Sequence, residues 1–286
     1  MNRNEFQALL AKSPILLDGA TGSNLMRAGM PKGVCTEQWI LEHPEPFVQL
    51  QQAYVEAGSQ ILYAPTFAAN RISLGEHGLA DQMKEMIPRL VELSRTAAKG
   101  RALLAGDLTT TGKTDLSYDQ LLGLYQEQIS LLASAGVDLL VAETMIGAEE
   151  TMAAIDAAHA VCDLPIVCSL TIEADGSLFF GGNVFETAVM LEELGADAVG
   201  INCSVGPDQL TAVVATLRSS VSLPVLAKPN AGMPVIDEKG NAVYSMKAED
   251  FALHMQALVA AGANLVGGCC GTTPEYIRLL AKALGK

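Results

Sequence analysis

Eight short apolar segments, each ending in small or polar residues, recur along this chain and constrain its fold more than any other feature. They cover residues 15–20, 60–66, 102–108, 139–144, 166–171, 198–204, 225–231 and 265–271. Helical patterns lie between them, as at 118–135, where apolar residues recur at three- and four-residue steps. This alternation predicts strand–helix units built around a parallel sheet.

Four of the predicted helices end in a similar short motif, in which a glycine directly follows alanine or leucine. The four glycines are Gly58, Gly136, Gly195 and Gly262. Glycine at this point fits a left-handed C-cap that returns the chain to the sheet. Eight such units close most naturally into a single-domain (β/α)8 TIM barrel over residues 1–286. An open doubly wound sheet remains the alternative, because periodicity does not prove closure.

Composition limits the partners of such a barrel. Half of the 286 residues are hydrophobic and only 5% are aromatic, which suits helices packed closely on a buried parallel sheet. The formal net charge of −14 leaves no basic stripe for phosphates, so we expect no nucleic-acid partner. Charged residues interrupt the long apolar stretches, and the first residues do not resemble a signal peptide. We therefore expect no membrane partner and a cytoplasmic location.

Polar residues gather at the carboxyl ends of the predicted strands, where barrel enzymes carry their chemistry. They are Asp18, Thr66, Asp107, Glu143, Thr144, Thr171, Asn202, Cys203, Asn230, Cys269 and Cys270. Three thiolates brought to one point would hold a zinc ion and leave its fourth position free, which is typical of catalytic zinc. Cys203, Cys269 and Cys270 are therefore the candidate ligands.

Adjacent residues of a strand face opposite ways, so Cys269 and Cys270 can share one metal only if the strand breaks there. Gly267, Gly268 and Gly271 supply the conformational freedom for such a break. Coincidence, or a vicinal disulfide between Cys269 and Cys270, is the alternative.

The remaining cysteines receive no catalytic assignment. We interpret Cys162 and Cys168 as apolar fillers of the core, and Cys35, which lies in a loop-like stretch, is given no role.

Other strand-end residues allow two interpretations each. Glu143 is a ligand contact or a carboxylate that caps the next helix, around Ala148. The turn from Asp18 to Ser23 is an ordinary strand-to-helix connection, or its N–H groups receive a substrate carboxylate. Lys228 could form a Schiff base, although a lone strand lysine more often pairs with a carboxylate.

Six motifs in a fixed order resemble the homocysteine S-methyltransferase family, most of all the homocysteine-binding barrel of cobalamin-dependent methionine synthases. They are Asp18-Gly19-Ala20-Thr21-Gly22, Ala64-Pro65-Thr66-Phe67, Glu143-Thr144, Gly200-Ile201-Asn202-Cys203, Pro229-Asn230-Ala231-Gly232 and Gly267-Gly268-Cys269-Cys270-Gly271-Thr272-Thr273-Pro274. The last of these, together with the upstream Asn202-Cys203, is highly specific, and the resemblance covers essentially the whole chain.

The resemblance implies a zinc-dependent barrel that binds homocysteine through its sulfur and methylates it. The three cysteines would be the zinc ligands, and Asn230 matches a position that can contact zinc when substrate is absent. Glu143 would hold the substrate's amino group, and the amides around Thr21, Gly22 and Ser23 would hold its carboxylate. Asp18, Thr66 and Asn202 are predicted to bind substrate as well.

Two departures from the family pattern bear on the methyl donor. The family's Thr-Asn-Thr-Phe motif is Ala64-Pro65-Thr66-Phe67 here, and Lys228 stands where an aromatic residue is common. The sequence shows one barrel and no folate, cobalamin or reactivation module. We therefore expect an external donor, methylcobalamin or a methyl-corrinoid, with a separate corrinoid protein as the hypothesised partner. S-methylmethionine is the rival donor, and a zinc-binding barrel without catalysis is the alternative of another class.

Overall fold

Eight parallel strands and one antiparallel hairpin make up the sheets of the computed structural model, which describes residues 1–12, 14–238 and 242–286. In chain order the strands are β1 (Ile15–Leu16), β2 (Ile61–Tyr63), β3 (Leu103–Leu108), β4 (Leu139–Met145), β5 (Ile166–Leu170), β6 (Ala198–Cys203), β7 (Val225–Pro229), β8 (Pro234–Ile236), β9 (Ala242–Tyr244) and β10 (Ala263–Val266). Strands β8 and β9 form the hairpin, which the sequence patterns did not predict.

The parallel sheet closes on itself. Its strands follow the order β1, β10, β7, β6, β5, β4, β3, β2, and a parallel bridge between Leu17 and Ile61 joins the two ends. The Gln60 N–H also donates to the Leu16 carbonyl at 2.7 Å. The predicted TIM barrel is therefore confirmed, and the open doubly wound sheet is excluded.

Helices surround this barrel and cover its amino-terminal end. They are α1 (Arg3–Leu10), α2 (Gly22–Arg27), α3 (Thr36–Glu42), α4 (Pro44–Glu56), α5 (Arg71–Gly75), α6 (Met83–Ala98), α7 (Tyr118–Ser134), α8 (Ala148–Val161), α9 (Val184–Glu193), α10 (Thr211–Ser220), α11 (Ala248–Ala260) and α12 (Pro274–Ala283). Each barrel strand is followed by one of the eight helices α4 and α6 to α12.

The predicted glycine C-caps adopt the left-handed conformation. Gly58, Gly136, Gly195 and Gly262 have φ values of 108°, 79°, 90° and 114°. At each position an L side chain would be strained, and glycine reverses the chain toward the next strand without that cost. The repeated glycine motif therefore marks the carboxyl-terminal ends of four helices, as predicted.

Two apolar layers stabilise the barrel. One lies between the strands and the outer helices, and the other fills the interior of the barrel. In the inner layer, Phe6 and Leu10 of α1 pack with Ile15, Ile61 and Leu265. Because α1 covers the amino-terminal end of the barrel, the carboxyl-terminal end is the one that remains open to a ligand.

The predicted strand boundaries were wrong mainly at the carboxyl ends. The last strand was predicted over 265–271 but spans Ala263–Val266. The residues after Val266 lie between the chain segments at the ends of β1 and β7, where the Gly268 N–H donates to the Asp18 carbonyl and the Cys269 N–H donates to the Pro229 carbonyl. A Cβ on Gly267 would lie 2.7 Å from the Asp18 carbonyl oxygen, so this position requires a residue without a side chain.

No helix within the described ranges is both long and apolar enough to cross a membrane.

Candidate metal centre and adjoining pocket

Three thiols converge at the open end of the barrel. Cys203 is the last residue of β6, and Cys269 and Cys270 follow β10. Their Sγ atoms all lie within 4.8 Å of one another, and those of Cys203 and Cys270 are 4.0 Å apart. All six cysteines are free thiols. The three residues, which we call the cysteine cluster, are thus brought together as the sequence predicted.

The backbone at Cys203 is held in an unusual conformation. Cys203 and Ser204 have φ values of 57° and 63°, a left-handed region that costs a non-glycine residue on the order of 1–3 kcal/mol. The Ser204 hydroxyl accepts the Ile172 N–H at 2.7 Å and lies 2.9 Å from the Thr171 hydroxyl. These hydrogen bonds fix the turn that carries the Cys203 thiol inward.

The loop that carries the other two thiols is fixed from both sides. The Cys269 N–H donates to the Pro229 carbonyl at 2.7 Å, and the Ala231 N–H donates to the Cys270 carbonyl at 2.9 Å. The Thr272 hydroxyl donates to the Cys269 carbonyl at 2.8 Å. The predicted break in the strand therefore exists, and its hydrogen bonds go to β7 and its following loop.

Glycine is required in this loop partly for space. Gly271 has a φ of 84°, a conformation that favours glycine. Gly267 and Gly268 do not have a positive φ. A Cβ on Gly268 would instead lie 2.5–2.8 Å from three atoms of the Thr272 side chain. The glycines before the cysteines thus permit close approach, which the sequence analysis had ascribed to flexibility alone.

We expect Gly268→Ala to destabilise the protein by about 1–3 kcal/mol, the usual cost of overpacking, and to weaken metal binding because Thr272 must move against Cys269. Urea unfolding and metal analysis would measure both effects. Gly123→Ala is the control, since a Cβ at this position in α7 meets nothing within 4 Å and alanine favours the helix. Equal effects of the two substitutions would contradict the packing argument.

Electrostatically, the cysteine cluster favours one thiolate even without a cation. Hydrogen bonds from Cys203 and Cys269 lower the pKa of the Cys270 thiol to about 3, although burial opposes this shift. Hydrogen bonds with Cys269 and Cys270 raise the pKa of Cys203. A divalent cation would add a much stronger attraction for all three thiolates.

The donor set fits zinc. Thiolate sulfur is a preferred zinc ligand, and three protein ligands leave one tetrahedral position free. Asn230 lies beside this region, with its Nδ2 donating to the Ser204 carbonyl at 3.0 Å. Its Oδ1 is buried and has no hydrogen-bond partner among the described residues, which leaves an oxygen available to a ligand.

A group of buried charges adjoins the cysteine cluster, and we call Asp18, Asp107, Glu143 and Lys228 the acidic pocket. The Lys228 ammonium lies 3.5 Å from Asp18 Oδ1 and 3.6 Å from Glu143 Oε2. It also lies over the Tyr63 ring, 4.4 Å from the centroid. Lys228 therefore pairs with carboxylates, as the simpler interpretation of the sequence predicted.

The pKa values in the acidic pocket reflect burial with incomplete charge compensation. Burial raises the pKa of Asp18 to about 6 and that of Glu143 to about 7, although Lys228 opposes both shifts. Burial and the Glu143 charge raise the pKa of Asp107 well above its usual value. Burial would lower the pKa of Lys228, but Glu143 and Asp18 raise it well above its ordinary value. The lysine is thus a permanent cation.

The comparisons agree with this arrangement at the level of the family. The family model for homocysteine S-methyltransferase matches residues 15–284, a segment that includes every barrel strand, the cysteine cluster and the acidic pocket. The chain belongs to the homocysteine S-methyltransferase family.

Two kinds of relative within this family resemble the chain. It is 28% identical to the methionine synthases of Mycobacterium leprae and Mycobacterium tuberculosis, over 97% and 96% of its own length, but it spans only about a quarter of theirs. Crystal structures of the homocysteine methyltransferase MmuM from Escherichia coli are 26% identical. The oxidized form gives a TM-score of 0.83 over 97% of this chain and 98% of that one, and the metallated form gives 0.82.

A cavity of about 1010 Å³ opens at the barrel mouth of this family member, and it connects the cysteine cluster with the acidic pocket. Among the residues predicted to bind substrate, Asp18, Thr21, Gly22, Ser23 and Glu143 line it. No side chain caps the start of α8, so the helix-capping alternative for Glu143 is excluded.

Thr66 and Asn202 were also predicted to bind substrate, but they lie behind the cavity wall. The Thr66 hydroxyl exchanges two hydrogen bonds with the Asp107 backbone, at 2.9 and 3.1 Å. Asn202 Oδ1 accepts the Thr144 N–H and the Ser169 hydroxyl at 2.7 and 2.8 Å. Both side chains join neighbouring strand ends, and their roles as direct substrate contacts stay predictions.

Sequence reasoning missed several residues of this cavity, among them three with polar side chains near the cysteine cluster or the acidic pocket. Asp107 was placed at a strand end without a role, and Tyr63 and Tyr244 were not considered, although all three line the cavity. The Tyr244 ring covers Gly271, where a Cβ would lie 2.3 Å from its Cγ. The position of Asp107 at the end of β3 was a signal, but no motif pointed to the hairpin that carries Tyr244.

The other cysteines lie away from the site. Cys35 and Cys168 are buried and Cys162 is half-buried. Burial raises the pKa of Cys168, which agrees with its interpretation as an inert filler of the core.

Proposed function

We propose that this protein is a zinc-dependent methyltransferase that transfers a methyl group to the thiol of homocysteine and gives methionine. The observation that carries the proposal is the convergence of three thiols, all within 4.8 Å, in a chain of the homocysteine S-methyltransferase family. A relative of similar length, MmuM, has been solved in a metallated form. We also propose that residues 1–286 act as one barrel domain.

Cys203, Cys269 and Cys270 would hold the zinc ion, and Asn230 Oδ1 is a candidate fourth ligand when substrate is absent. When bound, zinc supplies a Lewis acid that keeps the substrate thiol deprotonated near neutral pH, where a free thiol is mostly protonated. The protein then needs no nucleophile of its own. Its remaining task is to orient the amino acid so that the sulfur meets the metal and the donor.

The pocket residues orient the acceptor by its charged groups. Glu143 and Asp18, both buried, offer carboxylates to the substrate's ammonium. The backbone at Thr21, Gly22 and Ser23, where α2 begins, lines the same cavity and would receive its carboxylate. These contacts would place the thiol near the cysteine cluster.

We expect Glu143→Gln to weaken homocysteine binding by roughly 1.5–3 kcal/mol, the scale of a charge-assisted hydrogen bond. Calorimetry with the zinc-loaded protein measures the loss. Zinc content should stay unchanged, because Glu143 is not part of the cysteine cluster. Glu150→Gln is a matched control, since Glu150 accepts bonds from the Thr111 N–H and Tyr125. Wild-type affinity in Glu143→Gln would remove this residue from substrate recognition.

We propose methylcobalamin or a protein-borne methyl-corrinoid as the donor. An exposed apolar rim supports this choice, with Met233, Val235, Ile236 and Val243 on or beside the β8–β9 hairpin, Met26 on α2 and Phe67 in the loop after β2. Similarity to the mycobacterial methionine synthases points the same way. The partner would be a separate corrinoid protein that docks on this rim.

S-methylmethionine is the second candidate donor, favoured by similarity over nearly the full length of MmuM. The deciding experiment offers methylcobalamin, free or protein-bound, and S-methylmethionine in parallel to the zinc-loaded protein with homocysteine. Loss of the methyl–cobalt absorption with formation of methionine supports the corrinoid donor. If methionine forms only from S-methylmethionine, the corrinoid proposal is wrong and the sulfonium is the donor. If neither donor gives product, the protein is a thiol-binding barrel without catalysis.

A further inference from the structure

Strand β4 carries an irregularity beside the cysteine cluster. Its regular pairing with β5 stops after Ala142 and resumes at Met145, so that Glu143 and Thr144 lie opposite the single residue Ser169. Two residues opposite one define a β-bulge, a feature that commonly redirects side chains next to active sites.

The bulge brings an extra side chain into the cavity. Val141 belongs to the apolar layer inside the barrel, so strict alternation would turn Thr144 toward the outer helices and Met145 toward the interior. Instead, Glu143 and Thr144 both line the cavity, and Met145 packs in the outer apolar layer. The bulge therefore presents two successive residues to a ligand.

This arrangement requires a costly backbone conformation. Thr144 has a φ of 56°, which lies in the left-handed region, where a β-branched residue is a clear outlier. Such a conformation persists only where the surrounding structure enforces it.

The side chain of Asn202, near the end of β6, enforces this conformation. Its Oδ1 accepts the Thr144 N–H at 2.7 Å, and its Nδ2 donates to the Thr144 hydroxyl at 2.8 Å. The Ser169 hydroxyl donates to the same Oδ1 at 2.8 Å. Asn202 is only 1% exposed, so bulk water does not compete for these bonds.

The peptide group between Glu143 and Thr144 is thereby fixed on both sides. The Thr109 hydroxyl donates to the Glu143 carbonyl at 2.9 Å, and Asn202 holds the N–H. The Nδ2 atom of Asn202 also lies 3.5 Å from Glu143 Oε2 and 4.0 Å from Cys269 Sγ. Asn202 therefore stands between a carboxylate of the acidic pocket and the cysteine cluster.

We propose that Asn202 is a positioning residue for methyl transfer, which holds Thr144 in the left-handed conformation and thereby fixes the Glu143 carboxylate relative to the cysteine cluster. Asn202 acts through Thr144 and Glu143 and does not itself contact the acceptor. This inference rests on the proposed function, because it takes Glu143 to bind an acceptor whose thiol lies at the cysteine cluster.

The first test is Asn202→Ala, which removes both hydrogen bonds to Thr144. Calorimetry with the zinc-loaded protein should show homocysteine binding weakened roughly tenfold, as expected when one charge-assisted hydrogen bond is lost. Combining Asn202→Ala with Glu143→Gln should add little to the loss caused by Glu143→Gln alone, because residues that act through one contact are not additive. Zinc content at saturating metal should stay unchanged, since all three thiols remain.

A second substitution at Thr144 separates positioning from a general structural role. Thr144→Gly in the Asn202→Ala background should restore most of the lost affinity, because glycine adopts the left-handed conformation without strain. Thr144→Val is the matched control, since valine also lacks the hydroxyl but keeps the β-branched strain, and it should restore none. Urea unfolding of the metal-free proteins should give the same order, with a higher midpoint for the glycine variant only.

Asn264→Ala is the control for the loss of an asparagine. The Asn264 Oδ1 accepts the Val225 N–H at 3.0 Å at the amino-terminal end of the barrel, so its substitution should leave homocysteine affinity unchanged. Asn202→Ser, whose side chain is too short to make both bonds to Thr144, repeats the comparison if Asn202→Ala does not fold.

Wild-type affinity in the folded Asn202 variants would overturn the inference alone. Equal affinities of the glycine and valine double variants, additive losses with Glu143→Gln, or loss of zinc at saturating metal would do the same. Failure of the zinc-loaded wild type to bind homocysteine would overturn the proposed function and this inference with it. The two kinds of failure are therefore distinguishable.

Discussion

Replacing Cys203 with serine is expected to abolish metal binding and methyl transfer together. Loss of a group that only orients a metal ligand typically costs about 10–100-fold in affinity, so loss of one of three ligands should cost at least that much. Elemental analysis after dialysis and a methionine-formation assay measure the two losses. Circular dichroism should change little, because the barrel core does not depend on the cysteine cluster.

Cys162→Ser is the matched control for this experiment. Cys162 is a half-buried cysteine that directly follows α8, outside the cysteine cluster, and its substitution should leave zinc content and activity near those of the wild type. Full zinc occupancy in Cys203→Ser would show that this thiol is not an essential ligand. It would also remove the main support for the proposed chemistry.

Lys228→Met is expected to destabilise the protein by about 3–5 kcal/mol near neutral pH, the usual cost of leaving a buried charge without its partner. Methionine keeps most of the side-chain volume, so the loss reports charge more than packing. Asp18 and Glu143 would both lose their only cationic contact among the described residues. Urea unfolding of the metal-free protein measures the change in the free energy of unfolding.

The destabilisation should depend on pH in a defined direction. Burial already raises the pKa of Asp18 to about 6 and of Glu143 to about 7 against the opposing effect of Lys228, so removing the lysine raises both further. A carboxyl whose folded-state pKa is raised binds more protons in the native state than in the unfolded chain. Because the unfolded-state carboxyls are the same in both proteins, the deficit of Lys228→Met should grow as the pH rises through the wild-type folded-state pKa values of about 6 and 7, and it should shrink below about pH 6, where both carboxyls are protonated in either native state.

Lys113→Met provides the control for a lysine in an ion pair. Lys113 contacts Glu76 at 2.9 Å, but both side chains are largely exposed, and such surface pairs contribute about 0–1 kcal/mol. A similar small effect of Lys228→Met would mean that water or neighbouring groups compensate the acidic pocket in the native state.

The eight strand–helix units could be predicted from the sequence alone, and they favoured a barrel over an open sheet. One local pattern recurs along the chain: an apolar segment, a helical periodicity and, in four units, a C-cap glycine. Each unit is predictable because its signals come from residues close together in the sequence. Closure and the hairpin that carries Tyr244 were beyond this reading. The pairing of Leu17 with Ile61 joins strands at opposite edges of the sheet order, and no local pattern encodes that contact.

The cysteine cluster was also accessible from sequence, because cysteine has few roles at a strand end and the motif around Cys269 and Cys270 is specific. The geometric requirement for the glycines was not, since their need for space depends on Thr272 and on the neighbouring Asp18 turn. Neither the close approach of Gly267 to the Asp18 turn, far away in the chain, nor the fold of the loop that brings Thr272 onto Gly268 leaves a trace in composition or periodicity.

Which polar residues act together depends on contacts that form only in the folded protein. Lys228, Asp18 and Glu143 stand far apart in the sequence, yet one buried ammonium lies between two carboxylates. Thr66 was predicted to bind substrate and Asp107 was given no role. In the structure Thr66 is hydrogen-bonded behind the cavity wall, whereas Asp107 lines the cavity. Residue type and strand-end position select candidates, but charge compensation and orientation arise from burial in three dimensions, where the low dielectric makes each unpaired group costly.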